Sequence, residues 1–476
     1  MKHIPLNAGR RKLLKAMGAS LATATFLPAC SEGESPDASF STEKNLGIVG
    51  ADGRRILPWS NWSGNLSCQP TQRETPRSIE KLQTLLQESS KPIRCVGSAH
   101  SFSPLVPTDH MLLSLARLRG LQSVDKENMT ATFGAGTRLG QTGDKLWEQG
   151  MGLLNMPDID TQTLAGSTAT STHGTGRNFG SLSSDVAAMS LVDASGELHK
   201  CSATENTDLF NAARNHLGSL GVVVDVTLRI RESYKIEEKK WFLPAEEAYD
   251  MAEALNQSSR HFEMFTFPHA DYVLMQTLDE TELDETPPPV DDSANTLAEM
   301  KVWTDRLPWL KSFLLNTALK NELENIEQRV NRSYRVFGNV RSLKFNEMEY
   351  SVPAERGLEC LEEVMATIKQ HNANVVFPLE FRYIKADDVW LSPFYQRDSC
   401  AISCHQFHDE PFQEYFALLE PIFLKYDGRP HWGKINTLTA TQFAEKYEMW
   451  EPFKAVRKQI DPAGRFFNQF TESLFA

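Results

Sequence analysis

Residues 163–186 read TLAGSTATSTHGTGRNFGSLSSDV, and this stretch restricts the fold of the chain more than any other. Glycine, hydroxyl-bearing and other small side chains fill it, with one histidine, His173, and one arginine, Arg177. Such a run has too little apolar volume to make a core. Its consecutive backbone N–H groups and hydroxyls can instead surround a pyrophosphate without adding bulk or fixed charge. The following segment, VAAMSLVDASGE, is apolar and strand-like, which sets the run inside a domain rather than in a linker. It contains neither the Gly-x-x-x-x-Gly-Lys-Ser/Thr pattern of a P-loop nor a strand-linked Gly-x-Gly-x-x-Gly. Gly166, Ser167, Thr170, His173, Gly174 and Gly176 are the candidate ligand contacts within it, and His173 is either part of the loop or a satisfied core histidine.

A second small-residue turn, CVGSAHSFSP (95–104), follows the strand-like PIRCV. Gly97, Ser98, Ala99 and Ser101 let a backbone approach a ligand closely, and they surround one imidazole, His100. Further along, VVFPLEFRYI (375–384) reads as a strand that points Glu380 and Arg382 to one face. A carboxylate and a guanidinium on an apolar strand face need each other or a ligand; the alternative is an ordinary surface ion pair.

The length of 476 residues predicts two domains. A net charge of −13 excludes phosphate-backbone binding, so no nucleic-acid partner is expected. GRRKLLK (9–15) precedes the mildly apolar AMGASLATATFLPA, too short for a permanent membrane span, so residues 1–30 read as a targeting segment. The arginine pair resembles a twin-arginine signal, and LPAC resembles a lipobox with Cys30 as the lipidated residue. The expectation is a protein exported folded, located in the periplasm or cell envelope, and touching a membrane only through a lipid anchor at Cys30. Residues 31–46 then form a flexible tether. Cys68, Cys95, Cys201, Cys360, Cys400 and Cys404 follow neither a disulfide nor a zinc pattern, and no metal is expected. CAISCH (400–405) has three residues between its cysteines, one too many for haem attachment, and alternates as a strand.

Short strands alternate with helices up to about residue 235. Thr207 caps a helix through DLFNAARNHL that Gly218 stops, and GVVVDVTLRI puts Val222, Val224, Val226, Leu228 and Ile230 on one strand face. DETELDETPPPVDD (279–292) is read as a solvated, mobile loop, KNELENIEQRV (320–330) as helical, and strands resume around 342–352. The predicted organisation is a first domain over 47–235, a second over 236–440 with an antiparallel sheet and helices, and a C-terminal segment over 441–476 that packs on the first.

GSAHSFSP, GAGTRLGQTGDKLWEQG, TLAGSTATSTHGTG and LGSLGVVVDVTL occur in the order seen in flavoproteins of the vanillyl-alcohol-oxidase type. FNEMEYSVP (345–353), EFRY (380–383), HWGK (431–434) and DPAGRFFNQF (461–470) resemble the aldonolactone oxidase branch, which includes gulonolactone and arabinonolactone oxidases and the related alditol oxidases. The resemblance covers nearly everything after residue 50. It implies an α+β fold: a two-part FAD-binding domain and a substrate, or cap, domain. It implies FAD, contacted by the two small-residue loops and Val222. It also implies a covalent bond from His100 to the flavin 8-methyl group, the alternative being a histidine that only hydrogen-bonds the ring. Glu380 and Arg382 would bind substrate hydroxyls, and Lys434 would stabilise negative charge near flavin and substrate. One departure is Asp158, in LNMPDIDTQTLAG, where alditol oxidases carry a serine near the flavin.

These residues lead to an enzyme that oxidises a secondary alcohol of a sugar-derived aldono-1,4-lactone, with oxygen or another electron acceptor restoring the flavin. The alternatives are an alditol or sugar oxidase with a polyol substrate, and a flavin-binding lipoprotein without turnover. Segments around Ala135–Thr137 control oxygen access in relatives of this type.

Overall fold

The valine-rich alternation forms the strand Val222–Glu232, with Val224, Val226, Leu228 and Ile230 buried and Arg229 exposed. In the computed structural model, which describes residues 48–49, 53, 55–287, 293–339 and 343–476, this strand is the centre of a six-stranded antiparallel sheet. The order is Leu198–Ser202, Val186–Val192, Val222–Glu232, Thr130–Gly134, Leu121–Asp125, and Met151–Leu153 joins the far end of the central strand. The targeting segment, Cys30 and the tether lie outside the described residues.

A smaller sheet pairs Gln72–Glu74 and Ile93–Val96 in parallel on either side of Met111–Ser114. Parallel neighbours need a crossover, and helix Ile79–Glu88, capped by the Ser78 hydroxyl on Lys81 N, supplies one. Strand Ile93–Val96 ends where the His100 loop begins. The C-terminal segment locks onto it: Ile93 N donates to Arg465 O (2.8 Å) and Arg94 Nη1 to Phe466 O (2.5 Å).

The third sheet has eight antiparallel strands in the order Glu327–Arg332, Lys235–Pro244, Tyr272–Thr281, His261–Thr266, Leu379–Ile384, Ser399–Phe407, Phe345–Pro353, Arg429–Pro430. Side chains alternate between its faces. Met348, Tyr350, Phe381, Tyr383, Ile402 and Cys404 form an apolar face, on which Tyr350 stacks on Phe423 (5.1 Å between centroids) of helix Gln413–Lys425. Glu347, Glu349, Glu380, Arg382, Ser403 and His405 occupy the opposite face, and they too are buried. The fold is α+β, with the six-stranded and three-stranded sheets beside the eight-stranded antiparallel one. CAISCH lies in the buried strand Ser399–Phe407, and the six described cysteines are free thiols.

Three local expectations need correction. The helix at 207 covers only Thr207–Ala213, and Asn206 (φ 47°), not Thr207, occupies its N-cap position. It stops early because tertiary partners claim the next turn: Arg214 pairs with Asp388 (2.6 Å) and Asn215 Nδ2 donates to Leu391 O (2.7 Å). KNELENIEQRV is not helical; after helix Lys311–Lys320 the chain turns and forms strand Glu327–Arg332, pairing with Lys235–Lys240. The open sheet edge and burial of Val330 outweigh the helix propensity of its Glu, Leu and Lys residues. In the acidic stretch, Asp279–Thr281 continue a strand, and Thr286 N donates to Val330 O (2.9 Å); residues 288–292 lie outside the described residues.

Candidate active site

The two small-residue loops meet. Ser98 Oγ donates to Thr161 O, and a Cβ at Gly97 would overlap Thr163 Oγ1, so only glycine allows the approach. Ala99 is held at φ 58°, and its carbonyl accepts from Trp62 N (2.7 Å). Trp62 lies against the His100 ring (4.4 Å between centroids). The far side of the loop docks on HWGK: Phe102 N donates to Gly433 O (2.7 Å), Ser101 Oγ to Gly433 O (3.2 Å) and Ser103 Oγ to Trp432 O (2.5 Å). Lys434 Nζ consequently lies 5.2 Å from the centre of the Phe102 ring. Thus three segments far apart in sequence converge on His100 and Lys434.

The polar face of the eight-stranded sheet carries the rest. Glu380 Oε2 sits 3.4 Å from Arg382 Nη2, and the pair is buried, not a surface ion pair. Glu380 Oε1 and Arg382 Nε have no hydrogen-bond partner within the protein. Arg382 Nη2 also donates to Glu349 Oε2 (3.0 Å) and Ser403 Oγ (3.3 Å). Lys434 forms an ion pair with Glu347, whose other oxygen is 3.6 Å from His405 Nε2. Burial works against both acids, yet Lys434 and His405 hold Glu347 below the usual carboxylate range, and His173, His431 and Arg382 hold Glu349 well below it. Glu263, cross-strand from Arg382, goes the other way: burial and then Glu380 push it up to about 8. His431 is pushed down to about 3, chiefly by burial.

Several predicted contacts have partners within the protein. Ser167 Oγ and Thr170 Oγ1 donate to carbonyls of the short helix Leu164–Thr168, Leu164 O (3.0 Å) and Gly166 O (3.3 Å). A Cβ at Gly174 would collide with Met156 O, and one at Gly176 (φ +123°) with Phe179 and Arg260 O, so protein packing demands these glycines. Val222 is a fully buried core residue. His173 leaves the loop's ligand face: its Nε2 meets Glu349 Oε1 at 2.7 Å on the sheet. Asp158 Oδ1 accepts from Asn339 Nδ2 (2.6 Å) and its charge acts on Glu263. Ala135–Thr137 abut the glycine-rich run, with Leu164 N donating to Thr137 O (2.8 Å) and Ala165 N to Ala135 O (3.1 Å). The sequence reading missed Glu347, Glu349, Glu263, Ser403 and His405. Their signal was present as polar residues at every second position of otherwise apolar strands.

Residues 226–474 match the D-arabinono-1,4-lactone oxidase family, and residues 70–202 match the FAD binding domain. L-gulono-1,4-lactone dehydrogenase of Mycobacterium tuberculosis is 34% identical over 424 residues, covering 87% of this chain and 98% of that protein. The chain belongs to the D-arabinono-1,4-lactone oxidase family. L-gulonolactone oxidase of Bos taurus is 30% identical over 446 residues, with 89% of this chain and 99% of the other covered. Among solved structures, cholesterol oxidase from B. sterolicum matches with a TM-score of 0.75 at 16% identity, over 88% of this chain and 96% of that one, a likeness of fold.

FAD is the cofactor of this family's first domain, and the residues present fit it. The Ser171 hydroxyl, in the glycine-rich run and held at φ 52°, is buried without a partner within the protein. Asn215 Oδ1 and His216 Nε2 are likewise buried and unpartnered, on a segment joined to the run by Leu217 N donating to Ala169 O (3.1 Å). A Cβ at Gly166 would meet only the Thr163 hydroxyl, at 3.1 Å, so the backbone there stands open to a ligand. Gly97–Ser101, Gly166, Ser171, Asn215 and His216 are the residues that would hold FAD, and the last three escaped the sequence reading because nothing periodic marks an orphaned hydroxyl.

Proposed function

We infer that this enzyme oxidises the secondary alcohol beside the carbonyl of a sugar-derived aldono-1,4-lactone, of the D-arabinono- or L-gulono-type. The observation that carries this is the pair of buried atoms without a partner in the protein, Glu380 Oε1 and Arg382 Nε, on one strand face of the sheet whose Glu347 pairs with Lys434. Arg382 Nε–H donates to a lactone oxygen, and Glu380 Oε1 accepts from a hydroxyl; buried polar groups of this kind are costly unless a ligand completes them. FAD, when bound, would supply the acceptor for the hydride equivalent of the carbinol carbon. The Lys434 ammonium stabilises negative charge that develops on the substrate oxygen. Most charges on this face already pair among themselves, which suits a neutral, hydroxylated substrate.

His100 would bond through a ring nitrogen to the flavin 8-methyl carbon, with the imidazole N–H and methyl C–H protons released and the two electrons passing to the flavin ring, from which the electron acceptor would remove them. Packing of the imidazole against Trp62 (4.4 Å between centroids) supports this by fixing the ring. Flavin that stays with the wild-type band on a denaturing gel, and leaves it in His100→Ala, is the expected result; retention in the variant refutes the bond. Oxygen or another electron acceptor would restore the flavin, with hydrogen peroxide the by-product where it is oxygen. The twin-arginine-like segment and Cys30 support folded export and lipid anchoring in the cell envelope, which fractionation of a Cys30→Ser variant tests.

The decisive experiment is anaerobic: flavin absorbance of the purified protein against lactones, polyols and free sugars. Bleaching by an aldonolactone is expected, and admission of air then tests oxygen. Bleaching by polyols alone moves the assignment to an alditol oxidase, and bleaching by nothing removes the oxidation claim.

A further inference from the structure

We propose that strand Phe345–Pro353 carries two positioning carboxylates with separable effects: Glu347 sets the Lys434 ammonium and thereby turnover, and Glu349 sets the Arg382 guanidinium and thereby substrate binding. The proposal rests on the substrate-oxidation reading of the same site.

The strand itself aligns the parts. Its alternation turns Glu347 and Glu349 to the polar face while Met348 and Tyr350 enter the core. Its backbone then receives the HWGK segment: His431 N donates to Glu349 O (3.0 Å) and Ile435 N to Glu347 O (2.9 Å). Lys434, between those two bonds, is delivered to the Glu347 carboxylate, and both side chains are shielded from water, at 15% and 3% exposure. A lysine ammonium rides on a flexible four-carbon stem with no geometric preference of its own. The fixed carboxylate is what holds it, and burial makes the hold strong.

Glu349 works on the other cation. It accepts from His173 Nε2 (2.7 Å), Ser403 Oγ (2.7 Å) and Arg382 Nη2 (3.0 Å), and its side chain is 1% exposed. The last of these contacts engages the Nη2 end of the guanidinium, while Nε and Glu380 Oε1 are left without a partner in the protein. Glu349 and Glu380 both reach Nη2, but the Glu349 contact is shorter, 3.0 Å against 3.4 Å. Glu349 therefore keeps the guanidinium from collapsing fully onto Glu380, which stays available for a hydroxyl.

The test uses the FAD-loaded protein with whichever lactone or polyol reduces its flavin, comparing Glu347→Gln, Glu349→Gln and wild type. For Glu347→Gln, kcat should fall at least tenfold with KM within threefold. Glu349→Gln should raise KM at least tenfold with kcat within threefold. It should also weaken by the same factor the calorimetric binding of an analogue lacking the reacting hydroxyl. FAD content and thermal midpoint of each variant separate these effects from misfolding. If Glu347→Gln does not fold, the double variant Glu347→Gln/Lys434→Met, which removes both charges of the pair, replaces it. Its kcat should equal that of Lys434→Met alone, and a further tenfold loss overturns the proposal. If Glu349→Gln does not fold, Ser403→Ala should raise KM in the same direction by a smaller factor, and no rise overturns the proposal. Equal changes in kcat and KM, or no change, in variants of an active enzyme overturn the proposal and leave the oxidation reading standing. A flavin that no substrate reduces, together with unaltered analogue binding in Glu349→Gln, overturns both.

Discussion

Replacing Glu263 by glutamine should make the protein more stable, and increasingly so as pH rises. The side chain is buried, its Oε1 accepts from Gln276 Nε2 (2.6 Å), and the charged groups that act on it are Glu380, Arg382, Asp158 and Lys240. Burial, then Glu380, push its carboxyl from the ordinary 4.5 up to about 8. The folded state thus keeps a proton that the unfolded chain releases above 4.5. The group's favourable contribution is fully present below that pH, falls as pH rises, and is gone above about 8. At about 1.4 kcal/mol for each tenfold change in proton affinity, the loss reaches about 2 kcal/mol at pH 6 and about 5 kcal/mol at pH 9.

Glutamine keeps the acceptor for Gln276 and the volume, and it cannot ionise. Urea unfolding of the FAD-loaded wild type and Glu263→Gln at pH 5, 7 and 9 reads the difference directly. The two should nearly coincide at pH 5, and the variant should be the more stable by about 3–5 kcal/mol at pH 9. A variant no more stable than wild type at pH 9, or a gap that does not widen with pH, refutes the claim that Glu263 is held protonated beside Glu380.

Two further changes probe the scaffold. In Gly97→Ala the new Cβ would displace the Thr163 hydroxyl, so stability in urea unfolding should fall by about 1–3 kcal/mol and recover in Gly97→Ala/Thr163→Ala; equal losses in both backgrounds would discard Thr163 as the cause. Arg94 is a buried guanidinium whose donors reach the carbonyls of Leu105, Leu217, Gly218 and Phe466, so Arg94→Met should cost about 3–5 kcal/mol in urea unfolding. A loss below about 1 kcal/mol would mean that the chain re-satisfies those carbonyls elsewhere.

What the sequence made legible follows from where physics acts locally. Backbone that must approach a ligand needs small residues, so 97–101 and 163–176 announced themselves, and Glu380 and Arg382 shared a face by alternation alone. Which parts meet is a matter of tertiary register, and local pattern does not contain it. Nothing in TLAGSTATSTHGTG says that Gly97 presses on Thr163, or that His173 turns away to Glu349. The helical reading of 320–330 failed for the same reason: its propensities were real, and an unpaired sheet edge overrode them. Glu347 and Glu349 differ from these, since FNEMEYSVP displays two acids at alternate positions in a buried strand, the same pattern that singled out Glu380 and Arg382.

Register also explains how the polar face stays usable. Across three neighbouring strands, Glu380 lies opposite Ser403, which lies opposite Glu349, and Arg382 lies opposite Ala401, which lies opposite Ser351. The middle strand thus presents only small side chains, Ala401 and Ser403, between the Glu380–Arg382 pair and the acids beyond. That gap lets the Arg382 guanidinium cross a whole strand to reach Glu349 at 3.0 Å. A leucine at either position would fill the space and separate the charges. A slip of one residue in the middle strand would turn Ile402 and Cys404 inward and bury the pair against them. The site therefore depends on two small residues as well as on the charged ones: Ser403 leaves room for the guanidinium, Ala401 packs beside it against Ile384 and Phe394, and helix Gln413–Lys425 on the other side holds the register.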